Sequence, residues 1–255
     1  MDLELRGKWA LVTGASKGIG AAVAQVLAEE GCHLHLAARN GEALTALAQT
    51  LQTAHGVQAR THVIDLRDRE QRRGLAADCG TLDILVNNAG DIPGGTLQDI
   101  DEDRWRHAWE LKVFGYIDLT RAVYARMQAQ GHGAIVNIIG LAGERFDAGY
   151  IAGSSANAAL MAFTRALGGR SMTHGIRVAG INPGAIRTDR ISTLLKARAK
   201  AQFGDESRWE ELAAPMAMGQ PREIADVAAF LASKRASHVS GAVLAVDGGA
   251  ASRTG

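Results

Sequence analysis

The strongest constraint on this chain is a regular alternation between two hydrophobic patterns. Short apolar runs of strand length alternate with longer segments of helical period from the N-terminal part of the sequence to the C-terminal part. Strands that alternate with helices form right-handed crossovers and a parallel sheet that is covered on both faces. The sequence therefore predicts an α/β fold with a mostly parallel sheet of seven strands, namely Lys8–Thr13, His33–Ala38, Gln58–Asp65, Leu82–Asn87, Ala134–Ile139, Ile176–Ile181 and Ala242–Val246.

Helical periodicity fills most of the intervals between these strands. No linker or break in composition divides the chain, so a single domain over residues 1–255 is expected. The segment 187–218 departs from the alternating pattern, because it is rich in alanine and carries several cations before an acidic stretch. It predicts a helical lid. The other predicted helices are Gly20–Glu30, Glu42–Ala54, Arg69–Asp78, Asp103–Gln128, Asn157–Met172 and Arg222–Ser233.

Composition excludes several classes of function. The net charge of +1 and the lack of a dense basic run argue against a nucleic-acid partner. No apolar stretch is long enough for a membrane span, and the chain enters its first strand without a targeting leader, so a cytoplasmic location is expected. Cys32 and Cys79 lie far apart and His33 and His35 form no ligand motif, so no metal site is predicted.

A glycine-rich turn directly follows the first predicted strand and opens a helix. Glycines at such a turn allow the backbone to approach a pyrophosphate, whose charge the amides of the helix N-terminus stabilise. The turn predicts a dinucleotide-binding site that contains Gly14, Ala15, Ser16, Lys17, Gly18, Ile19 and Gly20.

Three further motifs lie at the carboxyl ends of predicted strands, where open α/β sheets bind their ligands. Asp65 and Leu66 follow the third strand, and Asn88 and Gly90 follow the fourth. The segment after the sixth strand contributes Pro183, Gly184, Ile186 and Thr188.

These motifs, TGxxxGIG, NNAG and PGxxxT, together with the closing segment 240–249, resemble the short-chain dehydrogenase/reductase family over essentially the whole chain. The resemblance implies a doubly wound, Rossmann-type fold that binds NAD(P). It also implies that Asp65 lies near the adenine, Asn88 and Gly90 near the adenosine ribose, and Ile186 and Thr188 near the nicotinamide carboxamide. Family members form tetramers or dimers, so a homo-oligomer is expected.

The charge beside the second strand indicates which dinucleotide is bound. An acidic residue about 20 residues beyond the glycines would hold the ribose 2′-hydroxyl of NAD, whereas a basic residue favours NADP. This chain has Arg39 at that point, and Lys17 adds a second cation in the glycine turn. NADP is therefore predicted, and NAD is the alternative if Arg39 is simply solvated.

The four catalytic positions of the family carry other residues in this chain. A gapless alignment puts Lys112 in the place of the family's Asn, Gly140 in that of its Ser, Gly153 in that of its Tyr and Asn157 in that of its Lys. The cofactor motifs are kept, and the usual proton donor is missing. The chain therefore resembles an atypical member of the family.

Three residues are candidates for a replacement catalytic set: Tyr150, Lys112 and Asn157. Tyr150 could donate a proton or only line the substrate pocket. Lys112 could be a buried proton donor or a surface lysine that points outward. Asn157 could bind the nicotinamide ribose but carries no charge. The predicted function is an NADP(H)-dependent oxidoreductase that acts on a small carbonyl or activated C=C substrate. The alternative is a dinucleotide-binding protein without turnover, as a redox sensor or partner subunit.

Overall fold

The computed structural model describes residues 1–213 and 218–252. Seven strands form one sheet in the order β3-β2-β1-β4-β5-β6-β7, and every neighbouring pair is parallel. The predicted α/β fold of Rossmann type is therefore confirmed. The strands are β1 Trp9–Thr13, β2 His33–Ala38, β3 Ala59–Val63, β4 Ile84–Asn87, β5 Gly133–Ile138, β6 Ile176–Pro183 and β7 Val243–Val246.

Helices cover both faces of this sheet. A π-helical turn, Glu110–Phe114, interrupts the long helix that the sequence predicted between 103 and 128. The α-helices are α1 Gly18–Glu29, α2 Gly41–His55, α3 Arg69–Asp78, α4 Glu102–Trp109, α5 Gly115–Gln130, α6 Ile151–Ser171, α7 Asp189–Phe203, α8 Trp209–Ala213 and α9 Pro221–Ala232.

Alternate residues of the central strands contribute to two separate cores. Val12 packs on the face covered by α1, α2 and α9, and its neighbour Leu11 packs on the face covered by α3 and α5. Each fully buried aliphatic side chain of this kind stabilises the fold by roughly 1.5–3 kcal/mol. Central strands such as β1 and β4 are therefore apolar on both sides, which explains why they appear in the sequence as continuous apolar runs.

Helix α6 begins at Ile151, earlier than the predicted start at Asn157. Ala152 and Ala156 are four residues apart on one helix face and are fully buried. Burial of that face stabilises the additional turn. Tyr150 consequently occupies the N-cap position, with φ −139°, rather than a position within the helix.

The predicted lid near residues 187–218 contains α7 and α8, and its residues 214–217 lie outside the described part of the chain. Among the described residues, no helix combines the length and the apolar character that crossing a membrane requires.

Candidate active site

The turn between β1 and α1 has the geometry that a phosphate-binding loop needs. Gly14 and Gly18 have φ angles of 65° and 58°, a region that favours glycine. A side chain on Gly20 would collide with the carbonyl group of Gly14 and with the amide of Asn88. The turn also contains Ala15, Ser16 and Lys17, and Ile19 lines the adjacent cavity.

The N-terminus of α1 presents a positive electrostatic end to this turn. Lys17 is the extended N-cap residue, and the first turn of α1 carries no acidic side chain. The Nζ atom of Lys17 lies 3.4 Å from a carboxylate oxygen of Asp189, and both side chains are exposed. A helix terminus of this kind is suited to bind a pyrophosphate.

Asn88 connects the loop after β4 to the glycine turn. Its Nδ2 atom donates to the carbonyl oxygens of Thr13 and Gly14 at 2.9 and 3.3 Å. Its backbone amide donates to the Thr13 hydroxyl at 2.9 Å. The Asn88 side chain therefore holds two ligand-binding loops in a fixed arrangement.

The segment after β6 closes the other side of the cleft. Pro183 ends β6, and the amide of Gly184 donates to the Val246 carbonyl at 3.1 Å. Ile186 is buried, and the Thr188 hydroxyl accepts a hydrogen bond from Ile191 at the start of α7. A Cβ atom at residue 18 would lie 3.2 Å from the Thr188 methyl group, so this segment packs directly on the glycine turn.

Charged groups lie beyond the ends of β2 and β3. Arg39 is exposed immediately after β2, and its neighbour Asn40 caps α2. The Asp65 carboxylate accepts hydrogen bonds from the amide of Arg67 at 3.0 Å and from its guanidinium at 3.3 Å. Leu66 is buried in the core beside them.

A cavity of about 650 Å³ lies over the carboxyl ends of β4, β5 and β6. Most of its wall is apolar, which is typical of small-molecule sites. The polar side chains that face it include Asn88, Lys112, Tyr150, Asn157 and Arg190.

The ring of Tyr150 lies against Gly153, one turn along α6. A Cβ atom at residue 153 would overlap the Cε1 and Cζ atoms of this ring. Only glycine at residue 153 therefore allows Tyr150 to adopt this position. The Tyr150 ring fills the space that a side chain at residue 153 would enter.

Arg190, near the start of α7, holds the hydroxyl group of Tyr150. Its Nη2 atom donates to the Tyr150 Oη atom at 2.8 Å and to the Ile92 carbonyl at 3.1 Å. Its Nη1 atom lies 3.6 Å from a carboxylate oxygen of Asp91. Because the phenol oxygen accepts from Arg190, its own hydrogen is available to another acceptor.

Lys112 lies in the π-helical turn and points into the protein. The suggestion that it extends to the surface is wrong, because only 8% of this residue is exposed. Its Nζ atom donates to the Ile139 carbonyl at 2.6 Å. Burial, with a smaller contribution from the positive charge of Arg190, lowers the pKa of Lys112 to about 7.

Asn157 is buried on α6 beside Gly140. Its Oδ1 atom accepts no hydrogen bond from any residue that the structure describes. A Cβ atom at residue 140 would lie 2.8 Å from the Asn157 Nδ2 atom, and Gly140 has a φ angle of 142°. The orphan oxygen is suited to accept a hydrogen bond from a ligand hydroxyl, because a buried acceptor without a partner is costly.

Comparison with known proteins places this arrangement in a family. The family described as short chain dehydrogenase matches residues 8–199. The chain belongs to the short-chain dehydrogenase family. It is 34% identical to the 3-oxoacyl-[acyl-carrier-protein] reductase of Chlamydia trachomatis, over 97% of this chain and 98% of that protein. It is 36% identical to a galactitol 2-dehydrogenase of Cereibacter sphaeroides, over 96% of each chain.

Solved structures of short-chain dehydrogenases superpose closely on this one. The L-sorbose reductase of Gluconobacter frateurii, complexed with NADPH and L-sorbose, has a TM-score of 0.91 at 32% identity and covers all of both chains. A xylitol dehydrogenase bound to NAD⁺ has a TM-score of 0.89 at 30% identity, over 96% of this chain and all of the other. The fold therefore binds nicotinamide dinucleotides, and both kinds occur among the relatives.

The contact between Arg190 and Tyr150 in this short-chain dehydrogenase was not predicted from the sequence. In the sequence, Arg190 is one of the several cations of the predicted lid. The two residues lie 40 positions apart in sequence, and no local motif links them. The gapless alignment that placed Gly153 opposite the family's tyrosine was the one signal that a neighbouring tyrosine could occupy the empty space.

Proposed function

We propose that this protein is an NADP(H)-preferring oxidoreductase whose active site has been rebuilt around Tyr150, Lys112 and Asn157. The proposal depends most on one observation, the position of the Tyr150 ring against Gly153. In this proposal the aromatic ring takes over the space that a side chain at residue 153 would enter. The packing supports a coordinated change of the site over a plain loss of the family's tyrosine.

The residues present are suited to hold a dinucleotide. The cradle at Gly14, Gly18 and Gly20 leaves room for a pyrophosphate, and the Asn157 Oδ1 atom offers an unused acceptor to a ribose hydroxyl. Arg39 would hold the 2′-phosphate of NADP after β2. A bound NADPH supplies hydride, and the protein must supply position and a proton.

Tyr150, positioned by Arg190, would supply that proton. The phenol group can donate into the cavity because its oxygen already accepts from Arg190. The fixed guanidinium charge also stabilises negative charge that develops on the phenol oxygen during transfer. Arg190 acts here as a positioning residue, because its described contacts are with the protein.

Lys112 would act as a second proton source close to neutral pH. Its pKa of about 7 leaves a substantial fraction of the group in each protonation state at physiological pH, which suits a general acid. Its Nζ atom is placed by the Ile139 carbonyl, directly before Gly140. The family's serine would have stood at that glycine, so a cation replaces a hydroxyl group near the substrate oxygen.

The substrate class that fits is a small, mostly apolar molecule with a reactive carbonyl or activated C=C group. Leu141, Leu194 and Leu195 form part of the cavity wall, and Arg198 contributes a cation at its edge. The names of two relatives, a 3-oxoacyl reductase and an L-sorbose reductase, are those of carbonyl reducers. Electrophilic acceptors demand least from the proton donor, because hydride addition is already favourable.

The test is a substrate panel of enones, enoyl thioesters, ketones and alcohols, assayed with NADPH and in the reverse direction with NADP⁺. We expect NADPH consumption with at least one carbonyl or enone. Tyr150→Phe should lower that rate at least about tenfold without changing NADPH affinity. Tight NADPH binding without turnover on any member of the panel would contradict the proposal.

A binding protein without turnover is the second candidate. One of the two proposed proton donors is already engaged within the protein, because Lys112 donates to the Ile139 carbonyl. Under this hypothesis neither Tyr150→Phe nor Lys112→Met would change the residual rate of NADPH consumption. Thermal stability would nevertheless rise with NADPH concentration, since a ligand stabilises the state that binds it.

The oligomeric state and the cytoplasmic location remain predictions. The exposed side of α6 supports a homo-oligomer, either a dimer or a tetramer, because it presents a stripe of small side chains: Ala159, Ala162 and Ala166. Small residues allow two helices to approach closely. Light scattering on the purified chain, compared with Ala162→Arg, would test this interface.

A further inference from the structure

A second cluster of chemically active side chains lies on the sheet away from the cavity. We propose that His35, His62 and Cys79 form a binding site for a soft divalent metal ion of the Zn²⁺ type. None of the three contributes to the cavity wall. The proposal therefore does not depend on the oxidoreductase function.

The register of the sheet brings the two histidines together. His35 on β2 is paired with Arg60 on β3, and His62 follows Arg60 by two residues. Because side chains two residues apart in a strand lie on the same face, both imidazoles project from one side of the sheet. This is the side covered by α3.

Helix α3 places the third ligand above them. Cys79 is the C-cap residue of α3 and is buried in the same core as Leu75 and Ala76. The helix end thereby directs a thiol toward the two rings. The three ligands come from three separate elements, which explains why no spacing motif reveals them in the sequence.

The distances within the cluster approach those of a metal site. The Nδ1 atom of His35 lies 2.8 Å from the Nε2 atom of His62, and all three ligand atoms lie within 4.8 Å of one another. Zinc bonds of about 2.0–2.3 Å in tetrahedral geometry separate the ligand atoms by roughly 3.3–3.6 Å. Side-chain rotations that move the ligand atoms by about an ångström are enough to reach that arrangement.

The chemistry of the three groups matches a soft ion. Imidazole nitrogen and thiolate sulfur are the ligands that zinc prefers in proteins. Burial lowers the pKa of His35 to about 4, so its ring is neutral at pH 7 and keeps a free lone pair. The positive charge of Arg60 has a smaller effect in the same direction.

Binding would release one proton per ion. One of the two facing ring nitrogens carries the hydrogen that they now share, and that ring must move the hydrogen to its other nitrogen. This tautomer change releases no proton to solvent. Cys79 loses its thiol proton to solvent when the metal–sulfur bond forms. The fourth ligand is water, which can enter beside the half-buried His62.

Charged groups around the cluster also bear on the bound ion. Burial lowers the pKa of His62, and the negative charge of Asp78 opposes that shift in part. Burial raises the pKa of the Cys79 thiol to about 12, with a smaller contribution from Asp78 in the same direction. Arg60 lies over the ring of Trp9, 4.7 Å from its centroid, and that ring packs on His35. Arg126 has a weak opposing effect on Cys79. The negative charge of Asp78 favours a bound cation, whereas the charge of Arg60, which adds to burial in lowering the pKa of both histidines, opposes one.

The experiment is a metal titration of the full chain after reduction and removal of metal by a chelator. We expect one equivalent of Zn²⁺ in competition with a chromophoric chelator, with one proton released at neutral pH. Substitution by Co²⁺ should give a thiolate-to-metal charge-transfer band. Cys79→Ser and His62→Gln should each weaken binding at least about 100-fold, more than loss of a residue outside the first coordination sphere typically costs.

Cys32→Ser is the matched control, because Cys32 is equally buried and donates to the Leu5 carbonyl at 3.4 Å. It should bind Zn²⁺ as the unchanged chain does. The proposal is wrong if Cys79→Ser keeps full affinity, or if the Co²⁺ spectrum of the unchanged chain lacks the thiolate band. The Co²⁺ spectrum needs no variant, so it stays decisive even if a substitution prevents folding.

Discussion

The ring of Tyr150 occupies the volume that a side chain on Gly153 would enter, so the identity of one residue determines the position of the other. Tyr150 is at the N-cap of α6 and Gly153 is in its first turn. An ordinary helix gains stability when an internal glycine is replaced by alanine. Here the replacement would displace the phenol that we propose as the proton donor.

Gly153→Ala should therefore destabilise the protein by about 1–3 kcal/mol through overpacking. Its activity should fall toward that of Tyr150→Phe, because the ring has to move. Urea unfolding provides the stability measurement. Gly169→Ala, on the same helix with no atom within 4 Å of its Cβ position, should instead stabilise by up to about 1 kcal/mol.

A double-mutant cycle isolates the contact between the two residues. In a Tyr150→Ala background the added methyl group at residue 153 meets no ring, so most of the cost of Gly153→Ala should disappear. Equal costs in both backgrounds would show that the ring does not occupy this space.

Lys112 should give the reaction a characteristic dependence on pH. The group is protonated below its pKa of about 7, so the rate of reduction should fall as the pH rises through 7. Lys112→Met should lower the rate at pH 6 and flatten the profile above it. A profile that keeps its shape in Lys112→Met would assign the titration to another group.

The same residue links folding stability to pH. Its ordinary pKa of 10.5 applies to the unfolded chain, so between pH 7 and 10.5 the unfolded chain holds a proton that the native chain has released. The free energy of unfolding should therefore rise with pH through this window, and the cost of burying the charged Lys112 side chain is greatest below pH 7. Lys112→Met removes a cost on the order of a few kcal/mol at pH 6 and a smaller cost at pH 9, which thermal unfolding at the two pH values would detect.

Arg190 should affect turnover more than the binding of NADPH. Arg190→Gln removes the charge beside the Tyr150 oxygen, so kcat should fall at least about tenfold while the KM for NADPH stays nearly constant. Lys196→Gln, on the exposed side of α7, is the control and should leave kcat unchanged. If both variants lose kcat to the same extent, the loss arises from the net charge of α7 and not from the contact between Arg190 and Tyr150.

Arg39 should determine the choice of dinucleotide. Arg39→Asp places an acid after β2, where it repels a 2′-phosphate and accepts from a 2′-hydroxyl group. The Kd for NADPH, measured by fluorescence titration, should rise at least about tenfold, and the Kd for NADH should fall or stay constant. A parallel loss of both affinities would instead indicate a damaged fold.

The sequence was sufficient to predict the sheet and the phosphate-binding turn because both depend on local pattern. Strand runs such as Trp9–Thr13 are mostly apolar on both sides, and the glycine turn combines its spacing with its position after a strand. The start of α6 was predicted wrongly at Asn157. Glycine and serine residues favour loops in sequence, and only burial of Ala152 and Ala156 reverses that preference.

Much of the candidate site depends on contacts that sequence spacing does not encode. The hydrogen bond from Arg190 to Tyr150 joins α7 to the N-cap of α6. The inward direction of Lys112 depends on the wide π-helical turn, whereas the lysine side chain alone is more often exposed. Tertiary packing decides both features.

Helix α7 contributes both the wall of the cavity and the arginine that holds the phenol. Leu194 and Leu195 face the cavity from the same helix that carries Arg190. Because one helix carries both features, a displacement of α7 that widened the entrance would also draw the guanidinium away from the Tyr150 oxygen. Under the proposed function, entry of substrate and positioning of the proton donor would therefore be coupled through α7.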